Sequence, residues 1–167
     1  MNSQSIEPKI AGLAKNAAIT DVACSVDTNV IYLLITNNGV GTIYRTDANN
    51  KVSQVSNAPR LVGRIAVLSN KDGLLCDSIA TGRVYLMDSG GKQWLSPHDD
   101  NKYALIGADK DDNIYIARLN TPQDTDTRMA DAIFISRKYK AFTLLQQMDS
   151  CPVSSIKVNY DGALTHN

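Results

Sequence analysis

The sequence predicts an all-β fold built from a repeated, four-stranded antiparallel unit. Two features of the chain carry this expectation. Of seventeen acidic residues only Glu7 is Glu, and Asp favours turns because its short side chain competes for nearby backbone groups, whereas Glu favours helices. The second is a period of 40 to 50 residues that three independent landmarks keep.

The landmarks appear in chain order. Four segments consist of an apolar strand, an Asp/Asn/Gly turn and a second apolar strand: "ITDVACSVDTNVIYLLI", "RIAVLSNKDGLLCDSI", "YALIGADKDDNIYIARL" and "SSIKVNYDGALT". Their turn residues Asn29, Gly73, Asn113 and Gly162 are 44, 40 and 49 positions apart. Each of the first three is followed by a strand carrying an aromatic, at Tyr44, Tyr85 and Phe134, spaced by 41 and 49. A fourth strand opens beside Lys51, Lys92 and Lys140, and "KIAGLA" from Lys9 fits the same slot, with spacings of 42, 41 and 48. Second strands such as "NVIYLLI" are almost continuously apolar, as expected of a sheet packed on both faces.

A four-stranded unit repeated at this period is the signature of a β-propeller blade. The expectation is one propeller-like domain over 1–167, of about four blades of four antiparallel strands. Its units run roughly over 18–57, 64–98 and 103–148, while 1–14 and 153–167 contribute to a shared terminal blade. That shared blade lacks a third strand, as in a truncated chain or one section of a larger ring. Within this scheme "GRVYLMDSGGKQW", Gly82 to Trp94, is a third strand, a turn and a fourth strand, and its glycines supply positive φ angles to a tight hairpin.

The hairpin "MDSGGKQW" resembles a degenerate Asp-box, the Ser-x-Asp-x-Gly-x-Thr-Trp turn of sialidase-like propellers. Gly91 and Trp94 match, Met87, Ser89 and Gln93 depart from the pattern, and Asp88 stands one place early. "RTDANNKV" at 45–52 is a weaker match, without the glycine or the tryptophan. The resemblance implies a structural turn, not a catalytic one.

Composition narrows the function classes. Seventeen basic residues balance seventeen acidic ones and Lys and Arg do not cluster, so the field that draws a protein to nucleic acid or anionic lipid is missing. The longest apolar run, "VIYLLI" at 30–35, is too short to span a bilayer, and the N-terminus lacks a signal-peptide pattern. The expected setting is a soluble, cytoplasmic or intracellular assembly. Cys24, Cys76 and Cys151 lack metal or disulfide spacing and read as buried, reduced thiols.

Individual residues give no chemical constellation. Asp109, Asp111 and Asn113 open like a calcium loop, but Ile114, Ala117 and Asn120 stand where glycine and acids are needed, so an inter-strand turn is expected. His98 beside Asp99 and Asp100 reads as a surface turn rather than a base with its orienting acid. Arg64 is the only arginine that begins an innermost strand, so the arginine cluster of a sialidase-like site is not expected. No catalytic residue, metal site or cofactor is assigned.

The leading expectation is a non-catalytic interaction module that binds another protein, as a component of a larger assembly or a virus particle, with homo-oligomerisation as a further option. The alternative is a glycan-binding or glycan-cleaving protein related to the Asp-box propellers, with Trp94 as a stacking platform. A β-sandwich or barrel would fit the same strand count. The contact surface is placed at Asp124, Asp126 and Arg128. The distance from turn landmark to aromatic grows there from 15 and 12 residues in the first two units to 21 in the third, and rigid scaffolds present such insertions as binding loops.

Overall fold

The structure is a computed structural model that describes residues 17–25, 29–69, 73–122 and 127–166. It is all-β, with three four-stranded antiparallel sheets and one two-stranded sheet. The first sheet contains β1 (Ala18–Cys24), β2 (Ile31–Asn37), β3 (Val40–Thr46) and β4 (Val52–Gln54). The second contains β5 (Ile65–Val67), β6 (Leu74–Ser78), β7 (Arg83–Asp88) and β8 (Gly91–Trp94). The third contains β9 (Tyr103–Ala108), β10 (Ile114–Leu119), β11 (Met129–Ser136) and β12 (Thr143–Pro152). A 3-10 turn at Val153–Ser155 leads to β13 (Lys157–Val158) and β14 (Leu164–Thr165).

In each four-stranded sheet the strands lie in chain order, every strand pairing with the next. The three sheets span residues 18–54, 65–94 and 103–152, and Tyr44, Tyr85 and Phe134 all fall on third strands. The "KIAGLA" segment lies outside the described residues.

Short polar side chains make the turns. Asn38 and Gly39, both at positive φ (51° and 80°), form the two-residue connection between β2 and β3 that the twist of paired strands favours. Between β3 and β4 the Asp47 carboxylate accepts the Asn49 and Lys51 N–H groups, at 2.9 and 3.0 Å. Between β7 and β8 Asp88 accepts the Gly90 N–H at 2.8 Å. Of the two glycines there, Gly91 takes a positive φ (122°). Gly90 is instead held by the aspartate bond.

Alternation along the strands then stacks the sheets face to face. On β6, Cys76 packs toward the first sheet with Leu34 and Ile43, whereas Leu75 packs toward the third with Leu105 and Ile116. On β9, Leu105 faces the second sheet, and Ala104 and Ile106 pack with Ile156, Val158 and Leu164 around the fourth. All five residues of β6 are buried, the apolar Leu74, Leu75 and Cys76 together with the polar Asp77 and Ser78. The first strands are successive neighbours: β1 lies by β5, β5 by β9 and β9 by β13.

Packing at these interfaces sets a contrast between two leucines. Leu105 is fully buried between the second and third sheets, so Leu105→Ala should lower unfolding free energy by about 2–5 kcal/mol. Leu144 on β12 is 51% exposed, and Leu144→Ala should change stability by less than about 0.5 kcal/mol. Urea denaturation of the two variants measures the difference.

Candidate functional site

The described charged side chains converge most closely where the first strands meet. Asp77, on the wholly buried β6, has no exposed surface. Its Oδ1 accepts the N–H groups of Gly63 and Arg64 at 2.9 and 3.0 Å. Its Oδ2 accepts the Leu105 N–H and an Arg128 guanidinium N–H, both at 3.0 Å. One carboxylate thus joins the chain entering β5 to β9 and to the chain entering β11. On the other side, Asp21 of β1 accepts the Ile65 N–H at 3.0 Å.

Arg64 extends the junction in the opposite direction. Its guanidinium donates to the carbonyls of Ile106 (3.2 Å), Ile156 (2.9 Å) and Val153 (3.2 Å), reaching the third sheet and the chain that enters the fourth. Burial pulls its pKa below the usual arginine value, and Asp77 and Asp21 oppose that shift. Gly63 passes so close to this junction that a Cβ would collide with the Arg128 guanidinium and lie 3.2 Å from Asp77 Oδ1.

These contacts limit the chemistry of the junction. A carboxylate with two donors on each oxygen is a strong acceptor without an open position for a substrate proton. Among the described residues, no group of three or more His, Cys, Asp or Glu side chains is arranged to hold a metal ion.

The residues singled out in the sequence go to separate places. Asp124 and Asp126 lie outside the described residues. Arg128 turns inward: its side chain is 17% exposed and ion-paired with Asp77. Asp109 folds back on its own turn, accepting from the Asp111 and Asn113 N–H groups, the Asn113 amide and the Tyr115 hydroxyl at 2.8–3.0 Å. Desolvation by burial works to raise its pKa, but these bonds outweigh it and hold the carboxyl below the usual range. His98 and Asp99 part company. The imidazole stacks on Trp94 at 3.6 Å between ring centroids, while Asp99 accepts the Tyr103 hydroxyl at 2.8 Å.

The Trp94 ring is covered on both faces. The Arg83 guanidinium carbon sits 3.7 Å from the ring centroid, and two groups this close to the centre must lie on opposite sides, so Arg83 and His98 enclose the indole. Its N–H donates to the Ser96 hydroxyl at 2.9 Å. Both faces that a sugar would need are therefore occupied. The cysteine expectation needs correction. All three thiols are unpaired, but only Cys76 is buried, with its pKa pushed up to about 12 by desolvation; Cys151 is half-buried, and Cys24, the last residue of β1, is exposed.

Sequence reasoning placed Arg64 at an innermost strand but missed Asp21, Asp77 and the inward turn of Arg128. A signal for Asp77 was present: it stands in "LLCDSI", an otherwise uncharged strand. No family model matches the chain, and no curated protein matches it. No helix among the described residues is long and apolar enough to cross a membrane.

Two outcomes are expected. Asp77→Asn keeps the shape but replaces an acceptor with a donor beside Arg128 and backbone N–H groups, and should cost about 3–5 kcal/mol in chemical denaturation; Gly63→Ala should cost about 1–3 kcal/mol by overpacking. The second outcome concerns acid stability. Because the Asp109 pKa is depressed in the fold, its contribution is fully present above the unfolded carboxyl value of about 3.9 and is lost as pH falls through the lower folded value. Asp109→Asn should be less stable than the parent at pH 6 and lose less stability between pH 5 and pH 3, as read by urea unfolding.

Proposed function

We propose that the chain is a non-catalytic interaction module, a rigid stack of sheets that act as consecutive propeller blades and present the 120–127 loop to a protein partner. The observation that carries this reading is the assignment of the converged charges: Asp21, Arg64, Asp77 and Arg128 all bond to backbone or to one another across sheet boundaries. Asp77, at their centre, accepts two hydrogen bonds on each oxygen and has no open position for a substrate proton. Arg128 then serves as the inner anchor of the insertion, with Asp124 and Asp126 as the contact residues. The enclosed faces of Trp94 favour a protein partner over a glycan.

Blade stacking is supported by first strands that follow one another in space and by middle sheets packed on both sides. On this reading residues 1–14 complete the terminal blade, so deleting them should lower the melting temperature. An unchanged melting temperature refutes the shared blade.

The loop is tested by replacing residues 122–127 with a glycine-serine linker while keeping Arg128. The melting temperature should hold, and a protein that co-purifies in stoichiometric amount with the parent chain should be lost. Retention of that protein at unchanged affinity would overturn the assignment.

A further inference from the structure

A cleft of about 430 Å³ opens between the outer parts of the second and third sheets. That volume falls within the range of roughly 300–1,000 Å³ typical of small-molecule sites. Its apolar lining includes Leu86, Ile114 and Phe142, and both walls are fixed before any ligand arrives. On one side Trp94 is clamped between Arg83 and His98 and tied to Ser96, whose hydroxyl also accepts the Val84 N–H at 3.0 Å.

On the other side stands the turn between β11 and β12. Lys138 and Tyr139 both adopt positive φ (53° and 61°), although neither is glycine or asparagine, and such backbone persists only where its surroundings hold it. Here the Tyr139 hydroxyl donates to Asp112 at 3.1 Å and the Ser136 hydroxyl to the Lys140 carbonyl at 2.6 Å. The strained turn brings Tyr139 and Lys140 to the cleft.

The polar groups are asymmetric in charge. No Asp or Glu lines the cleft, whereas Lys140 does, and its ammonium has no ion-pair partner among the described residues. The Gln93 amide is likewise without a hydrogen bond there. Preorganised walls, an apolar lining and one unneutralised cation suit a ligand with a flat apolar body and a single negative charge.

We propose that this cleft binds a small aryl carboxylate, its ring against the partly exposed Phe142 and its carboxylate on Lys140. This assignment is independent of the 120–127 loop and of any protein partner. Trp94 is the only tryptophan of the chain and lines the cleft, so its fluorescence reports occupancy directly.

Phenylacetate titrated into the full chain should give a saturable change in Trp94 emission. The uncharged isostere phenylacetamide should bind about tenfold more weakly or worse, because a charge-assisted hydrogen bond is lost. Lys140→Ala should weaken phenylacetate by a similar factor and Lys140→Arg should restore it, whereas Lys51→Ala, in the turn between β3 and β4, should leave it unchanged. Unaltered melting temperatures show that the variants fold. Absence of saturable change up to about 20 mM, beyond the millimolar range of weak ligands, overturns the proposal. Equal binding of the amide, or undiminished binding by Lys140→Ala, overturns it as well.

Discussion

The stack of sheets depends on one buried carboxylate. Asp77 is withdrawn from water and accepts four hydrogen bonds from three separate parts of the chain. Burying an ionised carboxylate without compensation is prohibitive, so its presence at this point makes the correct docking of β5, β9 and Arg128 a condition of folding. Apolar packing supplies most of the favourable free energy, but it is tolerant of sliding and rotation. A carboxylate that must find two backbone N–H groups before β5, one on β9 and one guanidinium is not tolerant. Arg64 imposes the complementary condition on the other side, since its N–H groups must find carbonyls on β9 and ahead of β13.

Around this junction the sheets repeat one solution. A strand buried on both faces divides its side chains between two cores, as Leu75 and Cys76 do on β6, and the next sheet receives one of those sets. Asp side chains close the connections by accepting backbone N–H groups two and four residues on, at Asp47 and again at Asp109. Contacts between turns add further links between sheets: Asp112 accepts the Ser69 N–H at 2.6 Å, and the Lys110 N–H donates to the Tyr160 carbonyl at 2.8 Å. Local turn chemistry and long-range stacking thus use the same short acid.

Charge is distributed in two distinct ways. At the junction, opposite charges are paired or bonded to backbone around Asp77, which has no exposed surface. At the rim, Arg83 and Lys140 have no acidic partner among the described residues, and one of them covers the indole while the other borders the cleft. Catalytic sites commonly combine burial with an unsatisfied group. Here the central carboxylate is buried and fully bonded, whereas the cations without an acidic partner stand at the rim.

The sequence by itself determined the all-β class, the place of Tyr44, Tyr85 and Phe134 on third strands and the aspartate-made turns. These follow from alternation and from side chains acting on backbone a few residues away, so a local reading reaches them. It also separated His98 from Asp99, since adjacent loop residues seldom face each other. Only the tertiary structure decided which charged residues meet. Asp77 and Arg128 are 51 positions apart, and Arg64 and Ile156 are 92, so their contacts depend on how the sheets stack, which no local pattern encodes. The same limit explains why Arg128 reads as a loop contact in the sequence and is an anchor in the fold, and why the sequence could not name the groups that enclose Trp94. Arg83 and His98 reach it from opposite sides only once β7, β8 and the chain beyond Ser96 are folded together.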